Sequence, residues 1–204
     1  MKGIAYIISA PSGAGKTTLC RMAANHFPEI RNSVSYTTRQ PRPGEVDGKD
    51  YWFIDDEAFD RMIEGGEFLE YAGVYGRRYG TSKKDLEALL EDGWSVILEI
   101  DVQGAARVRQ TLKGGVYIFI LPPSLKVCEQ RLVERGKDSP EEINKRLKIA
   151  EEEIRKASRY DYLIVNDDLK RAFEELKSVM IAQKAASARM RDRLMELFGG
   201  ILKD

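Results

Sequence analysis

The 204 residues of this sequence include only two cysteines and one histidine. These residue types are common in metal sites and in nucleophile–base pairs. Cys20 and Cys128 lie in predicted helices without the spacing of a metal site, so we expect two buried free thiols and, more weakly, a reducing compartment. No nucleophile motif accompanies His26, so we expect an ordinary residue near a helix end rather than a catalyst.

Net charge and long hydrophobic runs are also lacking. The 33 basic side chains equal the 33 acidic ones, which argues against a protein that coats nucleic acid. The apolar run over residues 4–10 is too short for a signal peptide or a membrane span. We therefore expect a cytoplasmic protein that has no nucleic-acid or membrane partner.

Alternating strand and helix patterns predict an α/β fold with a parallel sheet. Buried strands are predicted over residues 3–10, 94–101, 115–121 and 162–166. A first helix is predicted from Lys16 to about Phe27, and a long helix with no later strand begins at Asp168. The length of the chain suits one domain.

Two segments interrupt this alternation. Residues 33–81 carry short aromatic stretches, several glycines and a brief helical pattern over 56–66, which predict a small β-rich insertion. Residues 135–142 are polar, and Ser139, Pro140 and Glu142 form a helix start of the capping-box type. A polar connection between two helices is typical of a mobile lid. The core is then expected to comprise residues 1–32, 82–134 and 143–204.

The stretch SGAGKTT, residues 12–18, follows the first strand and opens the first helix, which is the context of a phosphate-binding loop. Its glycines let backbone N–H groups turn toward phosphate, and the helix N-terminus adds partial positive charge. Lys16 suits the β- and γ-phosphates, and the Thr17 hydroxyl suits Mg²⁺. A glycine-rich turn is the structural alternative. Ala10 stands where the usual motif has glycine, at little cost if its φ is negative.

Two further groups of charged residues are candidates for the site. Glu99 and Asp101 close the second core strand, where ligands gather in open α/β sheets and where a carboxylate organises magnesium. A solvated strand end is the alternative. In the basic loop, Arg39 and Arg42 flank a proline and suit one phosphate dianion. From these residues alone, a solvated loop is an equal alternative.

In their order along the chain, these motifs resemble the guanylate kinase family, P-loop enzymes that phosphorylate GMP. The stretches that carry the resemblance are SGAGKTT, SYTTRQPRPGEVDGKDY, EFLEYAGVYGRRYGTS, LEIDVQG, RLVERGKDS, INKRL and VNDDL. The resemblance covers residues 4 to about 180, and its most specific part is the run over 37–51. It implies a P-loop NTPase fold with three α/β/α layers, a GMP-binding insertion and a helical lid.

The resemblance implies a site for GMP or dGMP. Glu70 resembles the carboxylate that accepts the two adjacent donors of guanine, a pair that adenine lacks. The other implied contacts are Ser35, Arg39, Arg42, Tyr51, Tyr79, Thr81 and Asp101. Asp101 is therefore claimed both by guanine and by a magnesium-bound water, and the sequence leaves both roles open. The implied reaction transfers the γ-phosphoryl group of ATP to GMP, with Mg²⁺ as cofactor, in purine nucleotide metabolism.

The resemblance also implies the ATP site and the catalytic cations. The implied ATP-binding residues are Ser12, Gly13, Ala14, Gly15, Lys16, Thr17, Thr18, Asn166 and Asp167. The implied catalytic residues are Lys16, Arg39, Arg135 and Arg146. Thr17 is the implied magnesium ligand, with Glu99 and Asp101 acting through water. By spacing alone, Arg146 is instead a helix-surface partner of Glu142, four residues earlier.

Several positions depart from the family pattern. Ala10 and Glu99 replace the usual Gly and Asp, Thr81 replaces a common Ser, and Tyr36 and the pair at 77–78 are bulkier or more basic than is typical. Two other functions stay as alternatives. The complete phosphate-binding machinery argues against a protein-binding module of guanylate-kinase-like shape, and the guanine-reading carboxylate argues against a kinase for AMP or UMP.

A stripe of apolar residues at helical spacing lies near the C-terminus, at Met190, Leu194, Leu197 and Ile201. It follows the part of the chain that the resemblance covers. We expect this stripe to pack on its own domain. A homo-oligomer formed through the C-terminal helix is the alternative.

Overall fold

The computed structural model describes residues 2–74, 76–134, 136 and 139–201. Apolar runs and amphipathic segments alternate along the chain, and they form strands and helices in turn. In chain order the elements are β1 (Ala5–Ser9), α1 (Lys16–His26), β2 (Ile30–Asn32), β3 (Tyr36–Thr37), β4 (Trp52–Phe53), α2 (Asp56–Glu64), β5 (Phe68–Val74), β6 (Arg77–Ser82), α3 (Lys83–Glu91), β7 (Ser95–Glu99), α4 (Val102–Thr111), β8 (Val116–Leu121), α5 (Leu125–Glu134), α6 (Pro140–Ile154), a 3₁₀ turn (Ala157–Arg159), β9 (Tyr162–Val165), α7 (Leu169–Lys184) and α8 (Ser187–Phe198).

Five strands form a parallel sheet in the order β2-β7-β1-β8-β9. Side chains alternate between its two faces, as the two-residue period of a strand requires. Tyr6 and Ile8 are fully buried on one face against α1 and α7. Ile7 and Leu98 are buried on the other face against α3 and α4. The result is the predicted three-layer α/β/α fold of P-loop NTPases.

The four predicted core strands are confirmed, but the fifth strand, β2, was not predicted. Of its three residues Ile30 is buried, and Arg31 and Asn32 are exposed. A strand this short has no alternating pattern to detect. Its pairing beside β7, with Ile30 next to Ser95, is decided by tertiary packing.

A second, four-stranded sheet has the order β4-β3-β6-β5. Strands β5 and β6 form an antiparallel pair, β3 joins β6 antiparallel, and β4 is parallel to β3. Helix α2 covers this sheet with the fully buried Phe59, whose ring centroid lies 4.5 Å from that of Phe68. This sheet is the β-rich part that the aromatic stretches predict.

Two departures from the family pattern have structural partners in this region. The Tyr36 hydroxyl donates to Asp85 on α3 at 3.1 Å. The Arg78 guanidinium bonds Asp56 at 2.6 Å and Asp60 at 2.5 Å, both on α2. These contacts tie the second sheet to its neighbouring helices.

Two helices begin at serine caps, and the cap at Ser139 was predicted. The Ser82 hydroxyl accepts a hydrogen bond from the Asp85 N–H at 3.1 Å at the start of α3. At the start of α6, the Glu142 N–H donates to the Ser139 hydroxyl at 3.3 Å, and the Ser139 N–H donates to the Glu142 carboxylate at 3.0 Å. This reciprocal pair confirms the predicted capping box.

The long helix predicted from Asp168 is divided into α7 and α8. The chain leaves helical geometry at Ala186, with φ −58° and ψ 131°, and this break changes the direction of the chain. The expectation that the C-terminal stripe packs on its own domain is wrong, because α8 has no buried residue. Leu197 is 58% exposed and Ile201 is 79% exposed.

Both cysteines lie in helices. Cys20 on α1 and Cys128 on α5 are free and buried, as predicted. In the described part of the chain, no helix combines the length and apolar character that crossing a bilayer demands.

We expect Phe59→Ala to lower the free energy of unfolding by about 3–5 kcal/mol, because it leaves a cavity between α2 and the second sheet. Urea unfolding measures this change. Ile181→Ala, at an exposed position on α7, is the control and should alter stability little. Equal unfolding midpoints for the two variants would show that Phe59 packing does not support the second sheet.

Candidate active site

The phosphate-binding loop connects β1 to α1 at the C-terminal edge of the parallel sheet. Gly13 and Gly15 have φ values of 87° and 91°, in the left-handed region that favours glycine. A Cβ atom on Gly15 would lie 2.3 Å from the Asn166 amide nitrogen. Backbone geometry and close contact therefore both require glycine at this position.

Arg131 and Asn166 hold the loop from the protein side. Arg131 on α5 donates to the Gly13 carbonyl at 3.2 Å and to the Asn166 carbonyl at 3.1 Å. The Asn166 amide donates to the Ala14 carbonyl at 2.7 Å. The Ala14 N–H donates to the Pro11 carbonyl at 3.1 Å, so an anion would be bound by other N–H groups of the loop. Sequence reasoning missed Arg131, although it opens the stretch RLVERGKDS.

A cavity of about 490 Å³ adjoins the loop. It brings together several of the predicted site residues, and the polar side chains that line it include Ser12, Lys16, Thr17, Asp101, Arg146 and Glu153. Lys16 and Arg146 therefore face the same space from α1 and α6. Arg39, another predicted catalytic residue, lies in the basic loop. Arg135, the last of the four, lies outside the described residues.

Side chains with oxygen atoms lie where Mg²⁺ is expected. The Thr17 hydroxyl donates to Glu99 at 3.0 Å. Asp101 caps α4 with one carboxylate oxygen, which accepts from the Gly104 N–H at 2.6 Å. Among the described residues no three Asp, Glu, His or Cys side chains converge on an ion. These oxygen donors suit a Mg²⁺ ion that takes its remaining ligands from water and phosphate.

Glu70 and Thr81 form a buried acceptor site on the second sheet. Glu70 on β5 is 7% exposed and lies beside Thr81 on β6, whose hydroxyl donates to its Oε1 at 2.8 Å. Burial raises the pKa of Glu70 above its ordinary value, and Asp101 adds to this, whereas Thr81, Arg107 and Lys16 act in the opposite direction. A carboxylate in this position has acceptor capacity left for a ligand that carries two N–H donors.

Gly104 allows two acidic side chains to approach α4. A Cβ atom at this position would lie 2.7 Å from Glu70 Oε2 and 3.3 Å from Asp101 Oδ1. Any larger residue would displace the Glu70 carboxylate. Sequence reasoning missed this role, although the glycine is the last residue of LEIDVQG.

The basic loop presents Arg39 beside an aromatic pair. Arg39 bonds Glu45 at 2.8 Å, and the other Glu45 oxygen accepts from the Arg42 N–H at 2.7 Å. Glu45 raises the pKa of Arg39, which therefore stays charged. The guanidinium lies 5.3 Å from the Tyr51 ring centroid, which is 5.9 Å from that of Tyr79. Glu45 orders this loop, a role that sequence reasoning missed.

Ser35, a predicted GMP contact, precedes β3. Its backbone carbonyl accepts a hydrogen bond from the Trp52 N–H at 2.9 Å. A second cavity, of about 440 Å³, is lined by Gly13, Gly15, Thr18, Arg131, Glu134, Asn166, Asp167 and Leu169. Five of the predicted ATP-binding residues, Gly13, Gly15, Thr18, Asn166 and Asp167, therefore share this cavity, whereas Ser12, Lys16 and Thr17 line the first one.

Glu153 is a further carboxylate that sequence reasoning missed. It lies on α6 within the run EEE and lines the same cavity as Lys16 and Asp101. Burial raises its pKa to about 7, Asp101 adds to this, and Lys16 and Lys156 oppose it. No sequence pattern distinguishes Glu153 from the two glutamates before it, because the fold alone turns it inward.

We expect Glu153→Gln to stabilise the protein more at pH 8 than at pH 5. A carboxyl group with a raised pKa in the folded state stabilises the fold while protonated, and this contribution is lost as pH rises through about 7. The difference in thermal unfolding midpoint from the unmodified protein should therefore widen with pH. Glu152→Gln, at the exposed neighbouring position, is the control. A constant difference for Glu153→Gln would contradict the prediction.

Comparison with known proteins agrees with this geometry. A family model described as guanylate kinase matches residues 2–183. The guanylate kinase of Geobacter sulfurreducens is 53% identical over 197 residues, which are 97% of each chain. That of Carboxydothermus hydrogenoformans is 48% identical over 202 residues, which are 99% of this chain and 98% of the relative.

Structural comparison gives the same family. The crystal structure of guanylate kinase from Anaplasma phagocytophilum matches with a TM-score of 0.74 and 35% sequence identity, covering 97% of this chain and 96% of that one. The family match and the relatives extend over nearly the whole chain. This chain therefore belongs to the guanylate kinase family.

Proposed function

We propose that this chain transfers the γ-phosphoryl group of ATP to GMP, forming ADP and GDP. The observation that carries the choice of acceptor is the buried Glu70 carboxylate, bonded to Thr81 and set apart from the phosphate-binding loop. Guanine offers two adjacent donors, N1–H and the 2-amino group, to such a carboxylate. The proposal includes dGMP, because the assigned side chains serve the base and the phosphate.

The acceptor phosphate is bound by the basic loop. Arg39, Arg42, Tyr51 and Tyr79 supply its cations and hydroxyl donors, and Glu45 orders Arg39 before the ligand arrives. The attacking atom is an oxygen of this phosphate. Because a phosphate monoester has its second pKa near 6, the nucleophile is largely ionised at neutral pH and needs no general base.

The donor lies along the phosphate-binding loop. Its backbone N–H groups and Lys16 hold the phosphates of ATP, and Asn166 and Asp167 line the cavity on the adenine side. Arg146, and Arg135 from the lid, offset the repulsion between the two polyanions. Thr17, with Glu99 and Asp101 through water, would hold Mg²⁺, which supplies charge neutralisation for the β- and γ-phosphoryl oxygens when bound.

We assign the two substrates to different parts of the chain. The insertion, residues 33–81, binds GMP, the core binds ATP, and the lid, residues 135–142, covers the reacting phosphates. Excluding water by closure favours transfer to GMP over hydrolysis of ATP. The reaction places the enzyme in purine nucleotide metabolism in the cytoplasm.

We expect kcat/KM to be highest for GMP when ATP, Mg²⁺ and each of AMP, CMP, GMP and UMP are supplied in a coupled assay of ADP release. Glu70→Gln should lower kcat/KM for GMP about a hundredfold, because its amide NH₂ opposes a guanine donor. Values for the other monophosphates should change little.

Lys16→Ala is the matched control for this selectivity. It removes a cation from the donor phosphates, so turnover should fall about a hundredfold or more for every acceptor without a change in preference. A Glu70→Gln enzyme that still prefers GMP by the original ratio would refute the role assigned to the carboxylate.

We further propose that the chain forms a homo-oligomer through α8. Leu194, Leu197, Phe198 and Ile201 are exposed, and they lie near one another along one end of the chain. A cluster of large apolar side chains in contact with water favours a protein partner, and a second copy of the same helix offers a complementary apolar face.

We expect the double variant Leu194→Glu/Leu197→Glu to have a lower molar mass in multi-angle light scattering than the unmodified chain, because two buried charges would oppose association. Ala188→Glu, on the opposite side of α8, places a charge on the same helix and should leave the mass unchanged. A monomeric unmodified chain across the micromolar range would end this proposal.

A further inference from the structure

Arg107 is a cation beside the guanine-reading carboxylate that neither the sequence motifs nor the reaction accounts for. It lies on α4, and its Nη2 atom is 4.0 Å from Glu70 Oε2. Its side chain is 41% exposed, yet its Nε and Nη2 atoms are both buried. Neither of these buried atoms has a hydrogen-bond partner in the described part of the chain.

Buried N–H donors without a partner are costly, because they have lost water and gained no acceptor. The Nε–H and one Nη–H of an arginine point in nearly parallel directions, and together they match a carboxylate. Glu70 is the nearby carboxylate, and its separation from Nη2 exceeds a hydrogen bond by about 1 Å. A small shift of either side chain would complete the contact.

The hydrogen bonds of Glu70 leave a place for this donor. An ionised carboxylate has about four acceptor positions, two on each oxygen. Thr81 occupies one position on Oε1. If guanine takes one position on each oxygen, the position left on Oε2 faces Arg107.

The local charges make a cation necessary at this point. Asp101 lies on the same side, since its Oδ1 and Glu70 Oε2 both approach Gly104. Two carboxylates close together repel each other and disfavour ionisation. Lys16 also lowers the pKa of Glu70, but we assign it to the ATP phosphates, so it is not dedicated to the guanine site.

We propose that Arg107 is a positioning residue for guanine selection, whose guanidinium orients the Glu70 carboxylate toward the N1–H and 2-amino donors. This inference rests on the proposed role of Glu70. The buried Nε and Nη2 atoms face the protein rather than open space, so Arg107 acts through Glu70 and not by direct contact with the base.

The experiment is a double-mutant cycle on the equilibrium dissociation constant of GMP, measured by isothermal titration calorimetry on the full chain. The variants are Glu70→Gln, Arg107→Met and the two combined. Met removes the charge and the donors while keeping a side chain of similar length. We expect Arg107→Met to weaken GMP binding about fivefold to tenfold, since a hydrogen bond to a charged group is partly screened at this exposure.

The cycle tests whether Arg107 acts through Glu70. In the Glu70→Gln background, Arg107→Met should weaken GMP binding by less than about twofold, because its partner charge is already gone. In steady-state kinetics, Arg107→Met should raise KM for GMP, with kcat and KM for ATP changed less than about twofold. Arg107→Lys should recover part of the loss, because it restores the charge without the planar fork.

Arg109 provides a matched control on the same helix. It is 43% exposed, bonds Asp161 at 3.4 Å and lies two residues beyond Arg107. Arg109→Met should leave GMP binding unchanged, and thermal unfolding of both variants separates a loss of fold from a loss of recognition. Equal effects on GMP binding in the two variants would assign the loss to α4 in general and overturn the inference.

The remaining outcomes separate this inference from the proposed function. If Glu70→Gln weakens GMP binding and Arg107→Met does not, Glu70 keeps its role and the inference fails. If Arg107→Met weakens binding equally with and without Glu70, Arg107 acts independently and the inference also fails. If Glu70→Gln leaves GMP binding unchanged, the assigned role of Glu70 fails, and the inference fails with it.

Discussion

The parallel pairing of β1 with β7 and β8 is the constraint on which the site depends. Backbone hydrogen bonds align these strands, with Ile7 beside Leu98 and Tyr117 in register. Parallel pairing brings the C-terminal ends of all the strands to one edge. The phosphate-binding loop follows β1, Asp101 follows β7 and Asn166 follows β9. Residues that are about 150 positions apart along the chain therefore meet around one loop.

Electrostatic balance is the second determinant of this site. The cavity beside the phosphate-binding loop, where we propose that two polyanions meet, contains Lys16 and Arg146, but also Asp101 and Glu153. Burial raises the pKa of Glu153 to about 7, so its negative charge is partly suppressed at neutral pH. The proposed role of Glu70 has the opposite requirement, since a carboxylate that accepts two guanine donors has to stay ionised although it is buried. Burial is the largest cause at both carboxyl groups and raises both pKa values, and nearby cations act against it.

The sequence was most informative where a local pattern has a local physical cause. The apolar runs predict four of the five core strands, and the phosphate-binding loop and the Ser139 capping box are readable because their residues are adjacent. The short strand β2 and the inward position of Glu153 have no such pattern. Met190, Leu194 and Leu197 of the C-terminal stripe lie in α8, and Ile201 follows it. The break at Ala186 could not be predicted, because alanine is a good helix former. Arg131 contacts the Gly13 carbonyl, 118 positions earlier in the chain, so no local pattern shows its role.

The sequence by itself determined the α/β class, the phosphate-binding loop and the family resemblance, since each depends on residue types in a fixed order. Tertiary structure decided which charges face one another. The approach of Arg107 to Glu70 depends on α4 packing beside β5 and on the missing side chain of Gly104. Such contacts join residues of different elements, and their distances are set by packing rather than by spacing along the chain. The proposed selection of the base therefore depends on the fold, whereas the proposed phosphate-binding loop is readable from seven consecutive residues, 12–18.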